Sequence, residues 1–127
     1  MTEPSREIST DTPGAARIWN YWLGGKDNYE ADRLAAEAAL QFYDMATFAQ
    51  QSRQFLNRVV RFLAGEAGIR QFLDIGTGLP TMQNTHEIAQ AIAPESRIVY
   101  VDNDPIVLAH ARVLLQNTTA EGVTDYV

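Results

Sequence analysis

The chain contains no cysteine, which excludes a disulfide framework, a thiolate nucleophile and a cysteine-ligated metal. Histidine is nearly as scarce. His86 and His110 make up the whole supply, neither has a partner at metal-ligand spacing, and both are expected to be structural or surface residues. Basic residues are few and scattered: 10 Lys and Arg stand against 16 Asp and Glu, for a formal net charge of −6. A duplex nucleic acid is recognised by a clustered basic face, so such a partner is not expected. No stretch approaches the roughly 20 apolar residues of a membrane span. The polar start lacks the apolar core of a signal peptide. Together with the absence of cysteine, this fits a reducing cytoplasm.

What is present suits one folded domain. The 127 residues are 46% hydrophobic, ordinary for a globular chain and far from a disordered composition. Met1 to Gly14 mixes Ser, Thr, Pro and acids without periodicity and is expected to be a mobile arm. Ala15 to Leu23 crowds Ile18, Trp19, Tyr21, Trp22 and Leu23 ahead of a Gly24-Gly25 break, which predicts a short helix ending at the glycines. A loop, Gly24 to Tyr29, follows. Glu30 to Phe42 is rich in helix formers. Thr47 to Ala64 repeats apolar residues at three- and four-residue intervals, predicting one broad apolar face through Phe48, Phe55, Leu56, Val59, Val60, Phe62 and Leu63. Arg53, Arg58 and Arg61 are placed on its wetter side. Residues 15–68 thus form an N-terminal helical cap.

The period changes after Gly68. Ile69 to Ile75 is a short apolar run, as in a buried parallel strand. Asn84, with Glu87 three residues on, opens a helix that Pro94 stops. Arg97 to Val101 is a second strand. Asp104-Pro105 opens another helix, running to about Gln116. Val123 to Val127 starts a third strand. This alternation over residues 69–127 predicts an α/β fold with a parallel sheet in the order 3-2-1, the front half of a Rossmann-like domain. The chain is expected to end before the strands that would cover the first strand's other edge. A bare edge seeks a partner, so a homodimer through that edge is an expectation as well.

The segment that carries chemistry is Phe72-Leu73-Asp74-Ile75-Gly76-Thr77-Gly78-Leu79-Pro80-Thr81. A strand ending in Asp and feeding into Gly-x-Gly is a cofactor turn, because glycines let the backbone bend sharply and approach a ligand closely. Asp102 ends the second strand, near the offset at which an acid meets ribose hydroxyls in such folds. A carboxylate takes two hydroxyls at once. A dinucleotide turn would carry glycine at position 81 and an apolar residue at position 74. Here Thr81 and Asp74 stand instead. Asp74 repels a pyrophosphate and attracts a ligand bearing ammonium and sulfonium charges, which favours S-adenosylmethionine over NAD.

These motifs, with Ala16-Arg17-Ile18-Trp19-Asn20-Tyr21-Trp22-Leu23-Gly24-Gly25-Lys26-Asp27-Asn28-Tyr29, Asn84-Thr85-His86-Glu87 and Val99-Tyr100-Val101-Asp102-Asn103-Asp104-Pro105, resemble the actinobacterial S-adenosylmethionine-dependent methyltransferases first catalogued as DUF574. Pro80 belongs to that family's form of the turn. The resemblance implies a class I methyltransferase fold, S-adenosylmethionine as cofactor and a small-molecule methyl acceptor. It implies that Asp74, Gly76 and Gly78 line the methionine end and that Thr77 adds a hydroxyl. Asp102 would hold the ribose and Asn103 would sit beside the adenine. Gly25 and Lys26, in the Gly24–Tyr29 loop, would belong to a lid approached by Trp19 and Trp22. Family members continue through further strands. Two other functions stay open: a fragment of an NAD-binding oxidoreductase, and a non-catalytic module that pairs its bare strand with a partner.

Overall fold

The computed structural model of the chain describes residues 7–81 and 83–127. The expected mobile arm therefore lies partly outside the described residues, at positions 1–6. Three helices come first, α1 (Ala15–Trp22), α2 (Glu30–Leu40) and α3 (Met45–Gly65). An alternating set follows: β1 (Gln71–Ile75), α4 (Thr85–Ile92), β2 (Arg97–Val101), α5 (Pro105–Leu114) and β3 (Val123–Tyr126). β2 lies between β1 and β3, all parallel, which is the predicted 3-2-1 order of a Rossmann-like half. Asp74 pairs with Tyr100 and Ile75 with Val101 in register, so the carboxyl ends of β1 and β2 finish side by side.

The boundaries have local causes. α3 begins two residues before the predicted start because Asp44 caps it, its carboxylate accepting from the Thr47 N–H at 3.2 Å. β1 begins after Ile69 because the Ile69 N–H bonds back to the Leu63 carbonyl and so closes the end of α3. Asp104 caps α5, accepting from the Ile106 N–H at 3.0 Å, with Pro105 in the first turn.

One face of the sheet is covered. Val60 and Ala64 of α3, Ile88 and Ala89 of α4, Ile98 and Tyr100 of β2, and Ala111 and Leu115 of the α5 region form a single buried cluster. The expected broad apolar face of α3 is split in two. Ala49, Val60 and Ala64 are buried, while Phe48, Phe55 and Phe62 are each more than half exposed, at 55%, 61% and 54%. Spaced seven apart, these three rings share a stripe turned away from the sheet, and the small alanines let α3 approach closely on the other side. β1 presents Leu73 and Ile75 to solvent on the opposite face. Among the described residues no helix is long and apolar enough to cross a membrane.

α4 is pinned to β2 by a buried pair. The Tyr100 hydroxyl accepts from the His86 backbone N–H and meets His86 Nδ1, both at 2.7 Å. Burial raises the Tyr100 pKa, so its hydroxyl stays protonated and donates to Nδ1. Burial lowers the His86 pKa, against a weaker opposing pull from Glu87. Between that depressed native value and the ordinary one of 6.5, the unfolded chain binds a proton that the folded chain does not. The contribution to stability is therefore complete above the ordinary value and is lost as pH falls through the native one. Urea denaturation is expected to show stability falling from about pH 7.5 to pH 5.5, with a shallower fall in His86→Gln. Superimposable profiles would exclude His86 as the cause.

Candidate functional site

The turn after β1 is tied to the end of β2. The Val101 carbonyl accepts from the Gly76 N–H at 2.8 Å and from the Thr77 N–H at 3.3 Å. Thr77 Oγ1 donates to the Asp74 carbonyl at 3.0 Å. Gly76 and Gly78 have φ of 70° and 71°, the left-handed region in which a side chain is strained. A Cβ at either would meet nothing within 4 Å, so the space above the turn is open to a ligand.

Asp102 braces this turn. One carboxylate oxygen accepts from the Gly78 N–H and the other from the Asp104 N–H, each at 2.9 Å. An ionised carboxylate has about four lone-pair sites, so each oxygen can accept a hydroxyl in addition to its amide. Asp74, at the end of β1, accepts from the Thr85 hydroxyl at 2.8 Å and so links the turn to the start of α4.

Helix α1 roofs the turn. Ala16 packs against the buried group Leu79, Ile106 and Val107. Beneath α1 lie three adjoining hollows. The first, about 220 Å³, is lined by Trp19, Asn20, Ser52, Arg53, Asp74, Gly76, Thr77, Gly78 and neighbours. The second, about 410 Å³, is bounded by Asn20, Gly24, Gly25, Lys26, Asp27, Arg53, Pro80 and Thr81. The third, about 320 Å³, is bounded by Ala15, Ala16, Trp19, the glycine turn and Asp102, Asn103 and Asp104. Trp19 borders the first and third. Trp22 borders none of them; its indole N–H donates to the Ala36 carbonyl at 3.3 Å and holds α1 on α2.

The eight residues picked out in the sequence are thus brought together. Asp74, Gly76, Thr77 and Gly78 face the first hollow, Gly25 and Lys26 the second, and Asp102 and Asn103 the third. Thr77 differs from expectation in one respect, since its hydroxyl is engaged with backbone carbonyls. Arg53 corrects the sequence reading more sharply. Its side chain is half-buried and borders two of the hollows, with Nη2 donating to the Gln83 carbonyl at 3.0 Å and to Asn84 Oδ1 at 3.2 Å. Burial lowers its pKa while the charge of Asp74 counters that fall. The signal was available, because Arg53, Leu56, Val60 and Ala64 fall on one helical stripe facing the core.

Three polar residues of the cap were also not foreseen. Arg17, Asn20 and Asp32 are buried. Asn20 Oδ1 accepts from the Asp27 N–H and from Asn28 Nδ2, both at 3.0 Å, and so clasps the Gly24–Tyr29 loop to α1. Asp27 in turn lies 3.5 Å from His110 Nε2 on α5. A Cβ at Gly25 would fall 2.3 Å from the Asn20 side chain. Gly25→Ala is therefore expected to displace Asn20 and speed amide hydrogen exchange at Asp27 by about tenfold, the worth of one hydrogen bond. An unchanged rate would show that Asn20 is not the clasp. No group of His, Asp and Glu among the described residues could hold a metal ion.

Comparison with known proteins gives this geometry a family. The model of a family described as S-adenosyl methyltransferase matches residues 1–127. A crystal structure of a DUF574 family protein from Streptomyces avermitilis MA-4680 is 54% identical, with a TM-score of 0.89 over 93% of this chain and 45% of its own. A crystal structure of a candidate methyltransferase from Thermobifida fusca YX is 49% identical, with a TM-score of 0.83 over 92% of this chain and 44% of its own. This chain thus spans under half the length of either structure. No curated protein matches it. With its Rossmann-like half-sheet and its Asp-x-Gly-x-Gly turn, the chain belongs to the S-adenosyl methyltransferase family, whose cofactor is S-adenosylmethionine.

Proposed function

We propose that the three hollows under α1 form the cofactor site of a cytoplasmic methyltransferase acting on a small molecule. In this reading the adenosine lies towards Asp102 and Asn103 and the methionine towards Asp74. The observation that carries it is how the turn's N–H groups are used. Those of Gly76 and Thr77 serve Val101, and that of Gly78 serves Asp102. A dinucleotide pyrophosphate is held by such donors together with a helix N-terminus. Here the donors already have acceptors, and α4 begins only at Thr85. The third hollow is edged by two carboxylates, Asp102 and Asp104. These repel phosphate and suit hydroxyl donors.

When bound, S-adenosylmethionine supplies a sulfonium-activated methyl group for attack by a nucleophile. The chain's own part is to bind and orient. Asp102 accepts ribose hydroxyls, Asp74 attracts the cationic end, and Trp19 walls the ligand against water. The Trp19–Asn28 segment, clasped by Asn20, acts as a lid. Positioning of this kind is the main lever available to a methyl transfer. Calorimetric titration with S-adenosylmethionine, S-adenosylhomocysteine and NAD tests the reading. The first two are expected to bind and NAD not to; binding of NAD alone would reverse it.

One observation favours a second reading, a module that pairs with another copy of itself. Among the described residues β1 has a neighbour on one side only, and it shows Leu73 and Ile75 64% and 73% exposed. Sedimentation would then detect a dimer that Ile75→Lys dissociates, whereas a monomer at all concentrations would exclude it.

A further inference from the structure

The cofactor's methionine end is a zwitterion, carrying an ammonium and a carboxylate on one carbon. Asp74 accounts for the first. Among the described residues, the hollow that holds Asp74 contains one cationic side chain, that of Arg53. From this pairing we infer that Arg53 binds the carboxylate of the methionyl group and sets the site's selectivity for ligands with an intact amino-acid end. The inference rests on the methyltransferase reading and deepens it.

Three features favour Arg53. It projects from the middle of α3, a rigid helix packed on the core, so its position does not depend on loop closure. Its guanidinium is oriented by the Gln83 carbonyl and Asn84 Oδ1, as a planar fork needs to be to engage a carboxylate in two parallel bonds. It is also half-buried beside Asp74, where a charge is less screened than in water. Lys26 is the competing cation. It is exposed and stands in the second hollow, away from Asp74.

Titration of the chain with S-adenosylmethionine and with its decarboxylated form tests this. The decarboxylated ligand keeps the adenosine, sulfonium and ammonium and lacks only the carboxylate. Wild type is expected to prefer the carboxylated ligand by about tenfold to hundredfold, as for a charged hydrogen-bonded pair. Arg53→Met should bring that ratio to about one by weakening the carboxylated ligand alone, with Arg53→Lys intermediate and Arg61→Met, exposed on the same helix away from the hollows, unchanged. Equal affinities in wild type overturn the inference without any variant. Equal weakening of both ligands by Arg53→Met also overturns it, marking a structural role through Gln83 and Asn84, as does loss of the preference in Lys26→Met. A wild-type chain that binds neither ligand removes the cofactor reading itself, and this inference with it.

Discussion

Asp102→Ala is expected to lower affinity for S-adenosylmethionine by about a hundredfold or more, the worth of two charge-assisted hydrogen bonds to ribose hydroxyls. It is also expected to destabilise the turn. The carboxylate is half-buried and accepts from the Gly78 and Asp104 N–H groups at 2.9 Å. Removing it leaves both donors to water, a loss of about 1–2 kcal/mol at a site that water can reach. The two effects separate in Asp102→Asn, which keeps one carbonyl oxygen for one amide but turns an amino group towards the other. That variant should recover part of the stability and little of the binding. Titration and urea denaturation on the same samples measure both. A folded Asp102→Ala chain that binds within about threefold of wild type would take Asp102 out of the cofactor site.

The largest loss of stability is expected from Asp32→Ala, about 3–5 kcal/mol. Asp32 is fully buried and pairs with Arg17, itself 6% exposed, at 3.0 Å. Asp32 also accepts from the Gly14 and Tyr29 N–H groups at 2.8 Å. Arg17 donates to the Ser9 and Thr12 carbonyls at 2.8 Å and lies 5.2 Å from the Tyr29 ring centre. One ion pair thus joins the segment before α1, α1 itself and the start of α2. Deleting only the carboxylate strands a buried guanidinium, which costs more than losing the pair. The double variant Arg17→Met/Asp32→Leu should therefore recover most of the stability. Because α1 carries Ala16, Trp19 and Asn20 over the hollows, Asp32→Ala should weaken cofactor binding too. A change below about 1 kcal/mol in urea denaturation would mean that the pair does not hold the roof in place.

The sheet and its turn were legible in the sequence because their signals are local. Gly76 and Gly78 are required by φ near +70°, Pro105 by the start of α5, and the β-branched run through Ile98 and Val99 by a buried strand. The roof was legible only as a helix. Arg17 and Asp32 are 15 residues apart, and their pairing exists only once α1 lies on α2, so no periodicity announces it. Asn20 is hidden in the same way, its partners being set by the fold of the following loop. Arg53 is a different case. Grouping it with Arg58 and Arg61 as a wet face overlooked its helical phase with Leu56 and Val60. Asp102 was read as a ribose acceptor, but its service to the Gly78 and Asp104 amides depends on two strands ending side by side.

If the glycine turn and the end of β2 share one ligand under α1, amides on both should respond to it together. Amide chemical shifts of the ¹⁵N-labelled chain, followed as S-adenosylhomocysteine is added, test it most directly. Saturating shifts are expected at Gly76, Thr77, Gly78 and Asn103 and at the Trp19 indole N–H, with Trp22 and β3 little moved. Saturating shifts confined to the Leu73 and Ile75 face, or none at the turn in a folded chain, would contradict a shared ligand there.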